Sequence, residues 1–261
     1  MNRKNDNIVN VIFFIRATEP RMNKDLLGTM KNQLEIVKRH SLKSTFLLEY
    51  DAICNPKYVS AIKESDVPGL EIGGWLEIVQ PLVEQAGLTW RGRYPWDWHS
   101  DVGFSVGYTP EERCKLIDVF MAGFKENFGF YPKSIGSWMI DAVTLQYMAD
   151  RYGVEASCNC RDQWGTDGYT LWGGYYGQAF YPSKKNAFCP AQSRDEQINI
   201  PVFRMLGSDQ IYQYDNGLTY DKEYHPSECQ HVVTLEPVYC GGSGGGGIPA
   251  WVDWYLQENF M

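Results

Sequence analysis

Two carboxyl residues follow tryptophans at points where the sequence predicts strands to end. Glu77 comes two residues after Trp75, and Asp141 comes three residues after Trp138. Residues two apart on a strand point to the same face of the sheet, so Trp75 and Glu77 are expected to lie together. An apolar indole raises the pKa of a neighbouring carboxyl group by desolvation, which suits a proton donor. Because a glycosidase needs one protonated and one ionised carboxyl group, Glu77 and Asp141 are the first candidates for a catalytic pair.

Other acids at predicted strand ends are substitutes for either member of this pair. Glu49 and Asp51 end the second predicted strand, and Glu236 ends the seventh. Glu49 and Glu236 are the alternative catalytic carboxyl groups. A structural role is the competing interpretation, because Asp141 directly precedes a predicted helix and is suited to cap it. Acids at strand ends also pair with arginines, of which three lie in or beside predicted strands: Arg16, Arg21 and Arg204.

The loop at residues 90–101 combines three tryptophans and a tyrosine with one histidine and two aspartates. Aromatic rings with apolar faces and polar edges suit contact with a pyranose, although the same rings could only pack the loop against the fold. His99 lies between Asp97 and Asp101, which fits either a metal-site fragment or a hydrogen-bonded structural residue. The expected substrate-binding residues share positions at predicted strand ends or in the loops that follow: Arg16, Glu19, Arg21, Asp51, Trp75, Trp98, His99, Trp138, Asp162, Trp164 and Arg204.

The composition restricts the class of protein. The 261 residues carry a formal net charge of -8, which disfavours nucleic-acid binding because phosphate contacts need clustered Lys and Arg. No apolar run approaches the roughly 20 residues needed to cross a membrane. The N-terminus lacks the apolar stretch of a secretion signal, so a cytoplasmic location is expected unless a leader is missing from this sequence. The oligomeric state is left open.

Sequence motifs also disfavour a bound cofactor or a structural metal. The seven cysteines are irregularly spaced and include no CxxC pair, so a zinc ribbon is not expected. No phosphate-binding loop of the Walker type is present, and no GxGxxG motif follows a predicted strand. We therefore expect no cofactor.

Strands and helices are predicted to alternate along the chain, which is typical of a parallel sheet. Apolar runs predict strands at 8–15, 44–49, 70–77, 134–139 and 154–159. Helical periodicity and capping residues predict helices at 25–40, after Asn55, at 109–128 and at 142–152. The third helix begins with the capping box Thr109-Pro-Glu-Glu112 and ends before Gly129. Residues 79–108 and 163–197 are predicted to be long segments without regular structure.

The C-terminal part is less regular. Further strands are predicted at 198–205 and 231–239, followed by a glycine-rich run at 241–247 that is typical of a linker and by a final helix. A chain that ends on a helix, without its next strand, fits either a truncated C-terminus or a barrel closed by seven strands. The length suits one large domain.

Several segments resemble the glycoside hydrolase/deacetylase superfamily. Lys43-Ser-Thr-Phe-Leu-Leu48 resembles its second strand, and Glu71-Ile-Gly-Gly-Trp75 resembles the strand that normally reads acidic-Ile-Gly-Asn-His. Residues 130–138 and 145–153 resemble its fourth strand and helix. The resemblance implies a distorted seven-stranded β/α barrel, in which the chemistry would lie at the C-terminal ends of the strands.

The metal-binding residues of the polysaccharide deacetylases in this superfamily have no counterparts here. Their Asp-Asp pair after the first strand is replaced by Ile15-Arg-Ala-Thr-Glu19, and Trp75 and Val79 stand where they place two histidines. The histidines and carboxylate that hold a catalytic zinc are thus missing from these positions. The superfamily's other branch comprises glycosidases, which use carboxylates instead.

These observations favour one interpretation. The protein is predicted to be a single α/β domain, a distorted seven-stranded β/α barrel, acting as a glycoside hydrolase on a carbohydrate substrate without a cofactor, nucleic acid or membrane. One alternative is a carbohydrate-binding barrel without catalytic activity. Another is a metal-dependent polysaccharide deacetylase with an atypical site around His99.

Overall fold

The computed structural model describes residues 10–20, 23–97, 99–159 and 179–204. Their main feature is a mostly parallel sheet of seven strands. Its spatial order is β1 (Val11–Ile15), β2 (Ser44–Leu48), β3 (Glu71–Trp75), β4 (Ser134–Ser137), β5 (Ala156–Asn159), β9 (Val202–Arg204) and β6 (Ala179–Phe180). Every neighbouring pair is parallel except β6 and β9, which are antiparallel. A separate antiparallel pair consists of β7 (Pro182–Ser183) and β8 (Asn186–Pro190).

Helices connect the parallel strands. They are α1 (Leu26–His40), α2 (Tyr50–Ile53), α3 (Pro56–Glu64), α4 (Gln80–Gln85), α5 (Ser100–Gly103), α6 (Pro110–Phe128) and α7 (Ala142–Tyr152), with one 3-10 turn at Ser105–Gly107. Within the four described ranges, no helix has both the length and the apolar composition that a membrane crossing requires.

The ends of the long helices form where the sequence predicts them. Thr109 and Glu112 form the predicted capping box of α6, with the Glu112 carboxylate accepting from the Thr109 amide at 2.8 Å. Asn55 caps α3 by accepting from the Lys57 amide at 3.0 Å. Gly129 ends α6 with a φ of 86°, a backbone conformation that glycine adopts without steric cost.

Side chains alternate between the two faces of the sheet, and both faces are buried. Phe46 and Leu48 of β2 pack in the larger core, together with residues of α1, α3, α6 and α7. Leu47 and Trp75 point to the other face, where Phe104, Trp138 and Cys158 complete a second apolar cluster. Burial on both faces is usual for parallel strands. Residues just beyond the strands' C-terminal ends consequently meet at one edge of this sheet.

The parallel α/β arrangement predicted from the sequence is confirmed, whereas two predicted loops are wrong in detail. Residues 79–108 contain α4, α5 and the 3-10 turn, and residues 163–197 contain β6, β7 and β8. These elements have two to six residues, too few for a helical or alternating pattern to emerge. The sheet's seventh strand is the antiparallel β6, which the sequence did not predict. The predicted strand at 231–239, the glycine run and the final helix lie outside the described residues.

Candidate functional site

Glu77 follows β3 and is held by four hydrogen bonds, although its side chain is only 1% exposed. The Arg16 guanidinium donates through Nε to Oε2 at 2.8 Å and through Nη2 to Oε1 at 2.6 Å. The indole N–H of Trp96 donates to Oε2 at 2.9 Å, and that of Trp138 donates to Oε1. Both oxygens of the carboxylate are therefore occupied by donors from three other segments of the chain.

These contacts determine the charge of Glu77. Burial opposes ionisation, but the charge of Arg16 and the hydrogen bonds from Glu49, Arg16 and Trp96 outweigh it and lower the pKa of Glu77 to about 2. The sequence predicts that an apolar indole beside Glu77 raises the pKa of its carboxyl group. In the structure Trp96 acts as a donor instead, so Glu77 is an ionised carboxylate at neutral pH.

The backbone around Glu77 is fixed on both sides. The Leu76 amide donates to the carbonyl of Gly136 at 2.7 Å, and the buried Ser137 hydroxyl donates to the Leu76 carbonyl at 2.6 Å. After Glu77, the Ile78 amide donates to the carbonyl of Gly103 at 2.8 Å. These bonds place the carboxylate between the end of β4 and the segment that contains α5.

Glu49, which follows β2, is the carboxyl group that faces Glu77. Its side chain is fully buried, and neither carboxyl oxygen accepts a hydrogen bond from a donor in the part of the chain that the structure describes. Burial, the negative charges of Asp51 and Glu77, and a hydrogen bond shared with Glu77 raise the pKa of Glu49 well above its ordinary value, and Arg16 only partly opposes them. The pKa values of Glu49 and Glu77 are therefore shifted in opposite directions, which favours the protonated form of Glu49 beside the ionised Glu77.

Two more carboxyl groups complete what we call the acidic cluster: Arg16, Glu19, Glu49, Asp51 and Glu77. Asp51 lies in α2 and accepts from the Ala17 amide at 3.2 Å, and burial raises the pKa of its carboxyl group. Glu19 accepts from Nη1 of Arg16 at 3.4 Å. The cluster thus joins the ends of β1, β2 and β3 around a single arginine.

The aromatic residues beside the cluster pack mainly against one another. Trp75 is fully buried, stacks on Phe14 with ring centroids 4.8 Å apart and meets the edge of Trp138 at 5.5 Å. The Arg16 guanidinium lies over the ring of Trp96 at 4.5 Å. The Nε1 atom of Trp75 is buried and has no acceptor among the described residues. Trp75 and Trp138 therefore form the apolar side of the cluster.

Asp141 is the N-cap of α7 and does not meet Glu77. Its carboxylate accepts from the Thr144 amide at 3.0 Å, from the Ser105 hydroxyl at 2.6 Å and from Nη1 of Arg113 at 2.9 Å. Burial opposes its ionisation, but the hydrogen bonds from Ser105 and Thr144 and the charge of Arg113 lower the pKa of Asp141. Within the described ranges, none of its hydrogen bonds reaches the acidic cluster. Glu49, and not Asp141, is the carboxyl group placed against Glu77.

A second polar group lies in the loop after α4. Asp97 is buried and accepts from His99 and Arg93, and Trp96 precedes it directly. Neither Trp96 nor Asp97 is among the site residues expected from the sequence, although both lie in the aromatic loop at residues 90–101. Five of the expected site residues lie outside the described residues, and so does the side chain of a sixth: Arg21, Trp98, Asp162, Trp164, Glu236 and Arg204. Among the described residues, no group of three or more His, Cys, Asp or Glu side chains is arranged to hold a metal ion.

Comparisons with known proteins identify similar folds only. No protein-family model and no curated protein matches the chain. A candidate glycoside hydrolase/deacetylase from Parabacteroides distasonis is similar with a TM-score of 0.50 and 12% identity, over 77% of this chain and 45% of that chain. A candidate polysaccharide deacetylase from Mycobacterium smegmatis has a TM-score of 0.42 and 14% identity, over 69% of this chain and 46% of that chain. The chain therefore spans less than half the length of either structure. The first likeness confirms, for the fold, the resemblance seen in the sequence.

Proposed function

We propose that this protein is a carbohydrate-acting hydrolase and that Glu49 and Glu77 are its catalytic carboxyl groups. The observation that carries the proposal is the pair itself, which consists of two buried carboxyl groups beyond neighbouring parallel strands with pKa shifts of opposite direction. When the pKa values of two neighbouring carboxyl groups are shifted in opposite directions, the group with the raised pKa is suited to act as the acid and the other to act as the carboxylate. The likeness in fold to a candidate glycoside hydrolase/deacetylase supports a carbohydrate as the substrate class.

The two groups can divide the cleavage of a glycosidic bond between them. Glu49, whose raised pKa favours the protonated form, transfers a proton to the leaving oxygen as the bond from that oxygen to the anomeric carbon breaks. Positive charge then develops on the sugar ring. The ionised Glu77, whose position Arg16 and two indoles fix, stabilises that charge electrostatically. Water adds to the anomeric carbon as the glycosidic bond breaks and gives its proton to an acceptor other than Glu49, which then regains a proton from solvent.

The arrangement of the strands would place this pair at the usual position for such a site. We propose that the sheet closes into the β/α barrel expected from the sequence. The C-terminal ends of the barrel strands would then surround one pocket. Glu49 and Glu77 lie beyond the C-terminal ends of β2 and β3, which is the face where barrel enzymes carry their chemistry.

The test separates the two roles by the leaving group of the substrate. Turnover is measured for a panel of para-nitrophenyl glycosides and the matching unactivated disaccharides, with the wild-type protein, Glu49→Gln, Glu77→Gln and Glu155→Gln. Nitrophenolate leaves without a proton, so Glu49→Gln should lose about 100- to 10,000-fold on the disaccharides and far less on the nitrophenyl substrates. Glu77→Gln should lose activity on both. Glu155 is the control because it is an exposed acid whose ion pair is with the exposed Lys133. Full disaccharide turnover by Glu49→Gln contradicts the assignment.

A carbohydrate-binding protein without turnover is the second candidate, and one observation favours it. Both oxygens of Glu77 are engaged by donors and the side chain is nearly inaccessible, as in a structural ion pair. This candidate predicts that oligosaccharides bind with measurable heat in calorimetry, whereas none of the panel is cleaved by the wild-type protein.

A further inference from the structure

Asp97 and His99 form a hydrogen-bonded pair in the loop that precedes α5. Nδ1 of His99 lies 2.6 Å from Oδ1 of Asp97. The Asp97 side chain is 2% exposed, whereas the His99 side chain is 50% exposed. The carboxylate is therefore the buried member of the pair, and half of the imidazole side chain is exposed to solvent.

The contacts of Asp97 determine which ring nitrogen of His99 carries a proton. Burial opposes ionisation of Asp97, but the hydrogen bonds from the Arg93 amide, the His99 ring and the Arg93 guanidinium outweigh it and lower the pKa of the carboxyl group. An ionised carboxylate only accepts hydrogen bonds, so the contact with His99 requires a proton on Nδ1. Nη2 of Arg93 also lies 3.2 Å from Nδ1, but that contact cannot be a donation to a protonated nitrogen. In the neutral ring, the lone pair is therefore on Nε2.

The loop is anchored to the end of β3 and thus to the acidic cluster. Trp96 donates to Glu77, and His99 follows Trp96 by three residues, which is at most about 11 Å of chain. The His99 carbonyl accepts from the Gly103 amide at 2.8 Å, and the Gly103 carbonyl accepts from the Ile78 amide. A Cβ at Gly103 would lie 2.5 Å from the carbonyl oxygen of Asp97, so only glycine allows this close approach.

The proposed hydrolysis requires an acceptor for the proton of the attacking water. Glu77 is poorly suited to this step, because four hydrogen bonds occupy its oxygens and its pKa is about 2. A general base is most effective when its pKa lies near the working pH. Glu49 gives its own proton to the leaving oxygen in the same step and is not available as the acceptor. The imidazole of His99 offers a nitrogen lone pair, and the loop that carries it is hydrogen-bonded to Glu77 through Trp96.

We propose that His99, positioned by Asp97, accepts the proton of the water that attacks the anomeric carbon and then releases it to solvent. The new bond joins the water oxygen to the anomeric carbon, and the proton moves to Nε2 of His99. Asp97 is a positioning residue, because it holds Nδ1–H and stabilises the imidazolium that forms. The proposal rests on the proposed function and adds a third group to the same site.

The orientation of the ring is tested without a substrate. Nitrogen-15 NMR of the wild-type protein should show His99 in the tautomer with a protonated Nδ1, with its signals identified by their loss in His99→Gln. His40→Gln is the matched control, since His40 is an exposed histidine at the end of α1. Asp97→Asn should abolish the single tautomer, and thermal melting verifies that this variant remains folded. A wild-type ring protonated on Nε2 overturns the proposal.

The role in turnover is tested with the disaccharide panel. His99→Ala should lower kcat by about 100- to 10,000-fold with little change in KM, and added imidazole should restore part of the rate because the position of His99 is half exposed. Unchanged kcat in His99→Ala, together with a large loss in Glu49→Gln, overturns the role of His99 and leaves the hydrolase standing. If the wild-type protein cleaves no substrate in the panel, the proposed function fails, and the role of His99 in turnover fails with it.

Discussion

Replacing Glu49 by glutamine should stabilise the protein, and the gain should increase with pH. The pKa of Glu49 is raised well above its ordinary value of 4.5 by burial and by the charges of Asp51 and Glu77. The folded protein therefore retains a proton that the unfolded chain releases above about pH 4.5. A raised folded pKa gives stability that is present below the unfolded pKa and is lost as pH rises towards the folded pKa. Glutamine has the shape of a protonated glutamate, can donate to Glu77 and never ionises.

The size of this effect follows from proton linkage. One proton difference between the folded and unfolded states changes the free energy of unfolding by about 1.4 kcal/mol for each pH unit. The advantage of Glu49→Gln over the wild type should therefore grow by about 1.4 kcal/mol per unit from near pH 5, for as long as Glu49 stays protonated in the folded protein. Glu77 does not contribute to the pH dependence of the free energy of unfolding in this range. Its pKa of about 2 gives stability that is lost only as pH falls below 4.5 towards 2.

Urea denaturation at several pH values between 5 and 8 measures this difference. The free energies of unfolding of the wild type, Glu49→Gln and Glu155→Gln are compared at each pH. Glu155→Gln is the control for the loss of one exposed carboxylate, and its difference from the wild type should be nearly constant. A difference between Glu49→Gln and the wild type that does not change with pH refutes the protonated state of Glu49.

Three further substitutions test other parts of the structure. Arg16→Met removes the cation that pairs with the buried Glu77, and we expect a loss of about 3–5 kcal/mol in the free energy of unfolding at pH 7; a urea titration giving under about 1 kcal/mol contradicts the pairing. Asp141→Ala removes a helix cap, so stability should fall by about 1–2 kcal/mol while turnover per folded molecule stays unchanged. A fall in turnover as large as that of Glu49→Gln would place Asp141 in catalysis. Gly136→Ala would put a Cβ 2.6 Å from Cδ1 of Leu47, and thermal melting should show a loss of about 1–3 kcal/mol through overpacking. A melting temperature equal to that of the wild type would show that the second apolar cluster, which contains Leu47, has room for the added methyl group.

Sequence patterns predicted the elements whose signals are local. The capping box at Thr109 and the cap at Asn55 each depend on residues within one turn of the helix, and both are confirmed. The N-cap residues of the short helices α4 and α5 are Val79 and His99, and neither forms a side-chain cap. The sequence predicts a loop here because each helix is short and its N-cap residue gives no capping signal.

The candidate site was only partly predictable for a related reason. The spacing of Trp75 and Glu77 located one carboxylate at the end of a strand. The partners that determine its charge are remote in sequence, since Arg16 and Trp138 each lie 61 residues from Glu77. The protonation of Glu49 depends on its burial beside two other acids, which three-dimensional packing alone determines. The capping role of Asp141 could be anticipated, because its bond to Thr144 spans three residues.

Infrared spectroscopy tests the central claim most directly, because a protonated carboxyl group absorbs separately from ionised carboxylates. At neutral pH the wild-type protein should show the C=O stretch of one buried protonated carboxyl group that is absent from Glu49→Gln and retained in Glu155→Gln. A wild-type spectrum without this band at neutral pH, or a band that persists unchanged in Glu49→Gln, would contradict a protonated Glu49 beside an ionised Glu77.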